Sequence, residues 1–317
     1  MVRRLSFRVL ELLAVLLLVS FGVFMLLSLV SGDPAIAVLG EGHTKAEYAA
    51  LRHEMGLDGP LLPRYFDWLG GVLTGDFGNS LLPPQTSVLE RLGGAIPVSL
   101  ELAVLGLAMA LVVSIPLAMW SAYHEGGRID RTISAVMFGL LSMPSFLVGL
   151  LLIAVLANGL GVFPRAEWVR ISESLGGNLL HAFLPALTIG LMEMAMFTRI
   201  LRNDLVTTLK EDFILSARAK GMPPLHIMVS DALRPSSFSL ITLLGLSVGR
   251  LIGSTVIVEY LFALPGVGRL VIESATQGNY PMVQGAVLLI ALVYVLVNAF
   301  IDLSYGYLDP RTRHARA

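Results

Sequence analysis

The chain of 317 residues is 55% hydrophobic and only 14% charged, with a mean hydropathy of +0.77, too little charge to keep a soluble domain dispersed, so a multi-span membrane protein is implied. It has no Cys, which excludes disulfides, Cys-ligated metals and thiol catalysis. The net charge of −1 argues against a nucleic-acid partner, and the bias to 19 Arg over 3 Lys carries no functional content.

Six apolar segments are long enough to cross a hydrocarbon layer of roughly 30 Å, which takes about 20 helical residues. They run over 9–30, 96–123, 133–158, 181–200, 238–262 and 282–305. The predicted fold is an all-α membrane protein of six transmembrane helices. It divides into an N-terminal segment and first helix (1–30), an external segment (31–95) and a transmembrane core (96–317) that includes a loop at 201–237.

Arg3, Arg4 and Arg8 precede the first span, as they would a signal peptide. Its apolar run is longer than a signal core, and SGDPA (31–35) is a poor cleavage site, so a retained helix is expected. In the next segment, Thr44-x-x-Glu47 reads as a capping box opening a helix in TKAEYAALRHEM, with Gly56 as its C′ residue. A second helix is predicted in PRYFDWLGGVL (63–73), with Tyr65, Trp68, Leu69 and Val72 on one face. This segment reads equally as a cap packed on the spans and as a landing surface for an external partner. Further along, Pro116 and Pro144 lie inside spans and predict kinks.

Orientation follows from Arg and Lys. With the N-terminus inside, the inner segments (1–8, 124–132, 201–237, 306–317) hold 13 and the longer outer ones (31–95, 159–180, 263–281) hold 7. The positive-inside rule then puts both termini in the cytoplasm.

Within spans, Glu11, Glu101, Arg199, Glu259 and Asp302 sit near ends and can reach an interface, whereas Glu193 and Arg250 lie deeper. Burying either alone costs at least about 2.5–3.5 kcal/mol, so each needs a partner or a watery cavity. Two readings stand: a polar lining for a translocation path, and a structural Glu193–Arg250 ion pair. Gly245, Gly249 and Gly253 form GxxxGxxxG, a stripe for close helix packing. GLSVG (245–249) also matches the G-x-S-x-G elbow of hydrolases, but that elbow needs a strand-to-helix turn, and here it lies in a predicted span. No P-loop occurs, and the six His show no metal-ligand spacing.

The insert EDFILSARAKGMPPLHIMVSDALRP (211–235) is charged and amphipathic. Phe213, Ile214, Ala217 and Lys220 fall at helical spacing, with Gly221 where a C′ residue belongs. Pro223 and Pro224 stop that helix and suit the first turn of another, in which Leu225, Met228, Val229, Ala232 and Leu233 share a face. Two short helices around a Gly-Met-Pro-Pro turn are expected. Small Ser216, Ala217 and Ala219 let a partner's backbone approach, as docking in a groove requires. The alternative, a helix lying on lipid, is weakened by few Lys/Arg and no Trp.

SARAKGM (216–222) with the downstream ALRP (232–235) resembles the EAA loop of ABC importer permeases, in the form found in dipeptide, oligopeptide and nickel importers. Against the general consensus E-A-A-x3-G-x9-I-x-L-P the Glu is absent, Asp231 replaces Ile, and Arg234 stands where Pro is expected. SGDPA, GDFGNS (75–80), VEYLFALPGVGRL (258–270), YPMVQG (280–285) and LDPR (308–311) resemble other segments of the same family, and FALPGVG its first paralogous permease.

The resemblance implies that 201–237 carries coupling helices for an ATPase groove, made by Asp212, Phe213, Ser216, Ala217, Arg218, Ala219, Lys220, Gly221, Leu225 and Leu233. It implies alternating access; Glu193, Arg250 and Glu259, singled out as ionisable groups within spans, are the candidates for lining the path. Implied partners are a paralogous second permease, two cytoplasmic ABC ATPase subunits or domains that bind ATP and Mg, an external binding protein, and the lipid of a bacterial cytoplasmic membrane. The chain itself would be no enzyme and hold no cofactor. Dipeptides, longer peptides, glutathione-like molecules and nickel chelates are all within the family's range. The rival classes are a secondary transporter or channel without an ATPase, marked by inverted repeats or interrupted helices, and a scaffold without transport.

The charge asymmetry generates a test. With single Cys placed at Glu41 or Lys210 in this Cys-free chain, an impermeant thiol reagent should label intact cells at 41 and not at 210. Labelling at 210 alone overturns the orientation.

Overall fold

The computed structural model describes residues 2–29, 34–83 and 85–308. Positions 31–33 of SGDPA and 309–311 of LDPR lie outside the described residues. In chain order the helices are α1 (Val2–Leu29), α2 (Pro34–Leu39), α3 (Lys45–Glu54), α4 (Leu61–Leu73), α5 (Val88–Tyr123), α6 (Arg128–Leu141), α7 (Ser145–Leu152), α8 (Leu175–Thr208), α9 (Asp212–Ala219), α10 (Pro224–His226), α11 (Leu233–Leu261), α12 (Val267–Thr276) and α13 (Tyr280–Leu308). Wide π-helical turns follow α7 (Ile153–Gly159) and α10 (Ile227–Ala232). The only extended pairing among the described residues is an isolated bridge, Asn79–Ser87.

Among the described residues, four helices are apolar and long enough to cross a membrane, and two bent pairs raise the number to six if each pair is one span. One such pair corrects the expected single helix at 133–158. α6 and α7 meet at 105°, with the break at Ser142–Pro144. Pro144 is extended (φ −61°, ψ 140°) and has no N–H to carry the ladder on, so a second helix starts after it. α5, by contrast, runs unbroken through Pro116.

The chain forms two compact units. In the first (1–99 and 265–300), the capping box is present: Thr44 Oγ1 accepts from Glu47 N, and Thr44 N donates to Glu47 Oε2 at 2.7 Å. These bonds from Thr44 hold the Glu47 carboxyl below its ordinary pKa. Gly56 ends the turn at φ +65°, a left-handed conformation Gly adopts freely. The predicted face of α4 packs inward. Tyr65 is buried, its ring 5.5 Å from Phe24 of α1, and its hydroxyl meets Ser20 Oγ at 2.9 Å. α4 is therefore a cap on α1.

GDFGNS and YPMVQG meet in the same unit. Asn279, just before YPMVQG, donates to Ser80 Oγ at 2.8 Å and accepts from Leu81 N at 3.2 Å. Val267 of FALPGVG donates its N–H to Ser99 Oγ at 2.9 Å and packs with Val88, Leu92, Met282 and Ala286.

The second unit (100–264 and 301–317) is built around α8, which buries residues on all sides, including Leu184, Phe197, Leu201 and Leu205. α5 crosses α8 at Gly106 and Gly190, where a Cβ on Gly190 would lie 2.7 Å from Gly106 O. At the expected packing stripe the picture differs: Gly249 is buried, Gly245 half-buried, and Gly253 exposed, with nothing within 4 Å of where its Cβ would sit. Within this chain close packing reaches Gly249 and stops.

Gly190→Ala is expected to cost about 1–3 kcal/mol by forcing α5 and α8 apart. Gly253→Ala is expected to cost less than about 0.5 kcal/mol. Loss of folded protein on heating, followed by size-exclusion chromatography, should rank them in that order.

Candidate functional site

Glu193 lies on the central helix with its side chain 7% exposed. Three hydrogen bonds neutralise it: Ser247 Oγ donates at 2.6 Å, and Arg250 Nη2 donates to both carboxylate oxygens at 2.8 and 3.0 Å. Ser247 and Arg250 are one helical turn apart on α11, which aims both at the same point. The Arg250 side chain is 53% exposed, so half of the guanidinium stem and head remains accessible. The two readings of this pair thus meet in one geometry: an ion pair that anchors a cation at a surface. Glu259, expected near an end and within reach of an interface, is fully buried instead. The chain turns back at Ala263 (φ +54°) and buries Phe262 and Leu264 beside it, so Glu259 lines no open surface of this chain.

In the insert, α9 ends as the residues require. Gly221 sits at φ +76°, its N–H donates to Arg218 O at 2.9 Å, and Met222 N donates to Ala217 O at 3.2 Å, a Schellman closure. Asp212, Phe213, Ser216, Arg218, Ala219, Lys220, Gly221 and Leu225 are exposed. Ala217 and Leu233 are corrections. Ala217 is buried, Leu233 half-buried, and both pack against the chain's own core with Ile214, Ile227 and Met228. They mount the insert and offer it to no partner. The expected second short helix is also corrected. α10 passes through the π turn directly into α11. No breaker lies between Leu225 and Leu233, and the wide turn ends three residues before Pro235, which has no N–H for the Asp231 carbonyl.

The base of the insert is tied down by residues that sequence reasoning passed over. Asp130 of α6 accepts from Arg202 Nη2 at 2.6 Å and Nε at 3.0 Å, from Ser121 Oγ at 2.6 Å and from Gly126 N at 2.8 Å. Lys210 and Glu125 pair at 2.8 Å beside it, and Ser236 Oγ donates to Thr208 Oγ1 at 2.9 Å. The α8–α9 junction is therefore fixed to the α5–α6 loop.

Residues 114–314 match the family model for the binding-protein-dependent transport system inner membrane component, and residues 1–83 match the model for the N-terminal part of such components. The chain belongs to this family. It is the permease subunit of an ATP-driven ABC importer, with ATPase activity in separate subunits.

The permease is 33% identical to a probable peptide ABC transporter permease of Sinorhizobium fredii, over 97% of this chain and 98% of that one. It is 32% identical to the oligopeptide transport system permease AppB of Bacillus subtilis (92% and 93%) and 31% identical to the dipeptide transport system permease DppB of Escherichia coli K12 (92% and 93%). Its fold resembles that of a chain in inward-facing structures of the MetNI methionine ABC transporter, with a TM-score of 0.55 at 17% identity, covering 69% of the permease and 96% of that chain.

Asp130 and Arg202 carried a signal: an Asp between two Arg in the short 124–132 segment, and an Arg just past the end of a span. Counting Arg and Lys for orientation registers Arg202 without asking what it faces, and passes over Asp130.

For the Glu193–Arg250 pair, Arg250→Met is expected to assemble and to lose transport. The single variant leaves Glu193, 7% exposed, without its cation, at a cost of up to roughly 3–5 kcal/mol that Glu193→Gln should relieve. Glu193→Gln combined with Arg250→Met removes both charges. If that double variant transports normally, the pair is structural alone.

Proposed function

We propose that the permease imports peptides or related small solutes handed over by an external binding protein, by alternating access across a bacterial cytoplasmic membrane. It does so with six spans, both termini inside, a folded external segment at 31–95, a paralogous second permease and a pair of ABC ATPase subunits that bind ATP and Mg. The names of the three relatives given above, each a peptide, oligopeptide or dipeptide permease, support the substrate class. The mounted insert carries the reading. α9 is held from beneath by Ile214 and Ala217, while Phe213, Leu215, Met222 and Leu225 stay exposed at 49%, 52%, 40% and 74%. The charge asymmetry supports a cytoplasmic place for this insert. An apolar patch on a short, well-anchored helix suits insertion into a groove of a partner. Half-exposed Arg250, held by Glu193, is the cation that the path would present to a carboxylate-bearing solute.

Gly221→Val tests the coupling role. A β-branched residue at φ +76° is strained by about 1–3 kcal/mol, which would turn α9 relative to α10 without touching the spans. The expected phenotype is a membrane-inserted permease that binds its ATPase weakly, or leaves hydrolysis unstimulated by loaded binding protein. Coupled uptake unchanged in reconstituted liposomes would exclude the coupling role.

A further inference from the structure

A second cavity, of about 270 Å³, opens beside the Asp130–Arg202 pair between α5, α6 and α8. Its walls combine Ser134, Thr198 and Arg199 with Ile133, Met137 and Phe138. Two observations mark it as a built anion site. The first is Thr198, 1% exposed, whose Oγ1 is buried with no hydrogen-bond partner among the described residues. On the same helix Thr188 donates to Leu184 O at 2.8 Å and Thr207 to Asn203 O at 3.1 Å, each to the carbonyl four residues back. Thr198 makes no such bond, so its hydroxyl is left to whatever enters the cavity.

The second is charge. Arg202 is neutralised by Asp130 and also donates to Asn203 Oδ1 at 3.2 Å. Arg199 has no acidic partner among the described residues, and its guanidinium lies 4.7 Å from the centre of the Phe138 ring. The cavity therefore holds one uncompensated positive charge, which matches a singly charged phosphodiester. Phe138, at the cavity's edge on α6, is 52% exposed, so the rim is apolar there and suits an acyl chain better than water. Arg199 falls at the end of its span that the charge asymmetry places inside, and basic pockets between spans on that side take lipid headgroups.

We propose that this cavity binds the headgroup of an anionic phospholipid of the inner leaflet, its phosphodiester on Arg199 and Thr198 and one acyl chain along Phe138. The site touches the Asp130–Arg202 tie at the base of the coupling insert, so its occupant bears on the same junction that α9 grows from.

The test uses the assembled importer in vesicles of phosphatidylcholine containing phosphatidylglycerol, with native mass spectrometry counting retained phosphatidylglycerol. One lipid per permease is expected, with occupancy falling about fivefold or more in Arg199→Met and in Thr198→Val. Thr198→Val is nearly isosteric and keeps the test readable if Arg199→Met fails to assemble. Arg131→Met, exposed and outside the cavity, should leave occupancy unchanged. Equal occupancy in the wild type and Thr198→Val would overturn the proposal. So would retention of added glycerophosphate in place of lipid, or a wild-type complex that holds no lipid because a partner subunit covers the groove. The count is made whatever the complex transports, so its outcome is separate from the substrate reading.

Discussion

The second unit depends on one helix that is longer than a membrane needs. α8 runs for 34 residues, about 51 Å at 1.5 Å per residue, where about 20 residues suffice to cross. Its middle is buried on every side and carries Glu193; beyond the span it carries Arg202 and then delivers the chain to α9. Such burial requires small residues where neighbours cross, which is why Gly190 meets Gly106 backbone to backbone. It also carries Pro185 in its interior without a break.

Much of this was legible in the residues. The capping box at Thr44, the αL turn at Gly56, the inner face of α4 and the stop at Gly221 each rest on local chemistry, and local chemistry survives folding. The Glu193–Arg250 pairing was legible as one of two readings because an isolated charge in hydrocarbon is so costly. What was hidden is what depends on a neighbour from elsewhere in the chain. GxxxG is a frequent pattern, and nothing in 245–253 says that the closest crossing is made at 106 and 190 instead. Ala217 looked like a docking residue for being small, whereas its size serves the core below it. The break before Pro144 was anticipated as a kink, but not as a 105° turn, because a proline in the sequence marks where a helix can stop and not at what angle the next one leaves.

The segments that carry the family resemblance divide by role. Asn279 clamps the GDFGNS loop and Val267 caps onto Ser99, while a Cβ at Gly285 would strike Val88 Cγ1 at 2.5 Å. These residues hold the first unit together. SARAKGM does the opposite: apart from Ala217 it is exposed, fixed in place by neighbours that do not belong to it.

The fusion of α10 with α11 has a mechanical consequence. From Pro224 to Leu251 the backbone forms one helical piece. Leu225 at one end is exposed on the insert and Arg250 at the other is held to Glu193, 25 residues and about 38 Å away. A displacement applied at Leu225 arrives at Arg250 through a crank of continuous backbone, with no hinge of side-chain contacts in series. Lost motion between the two ends falls on the wide turn at Ile227–Ala232 and the missing Pro235 N–H just beyond it, so the compliance of that stretch sets how much of a push is felt at the far end.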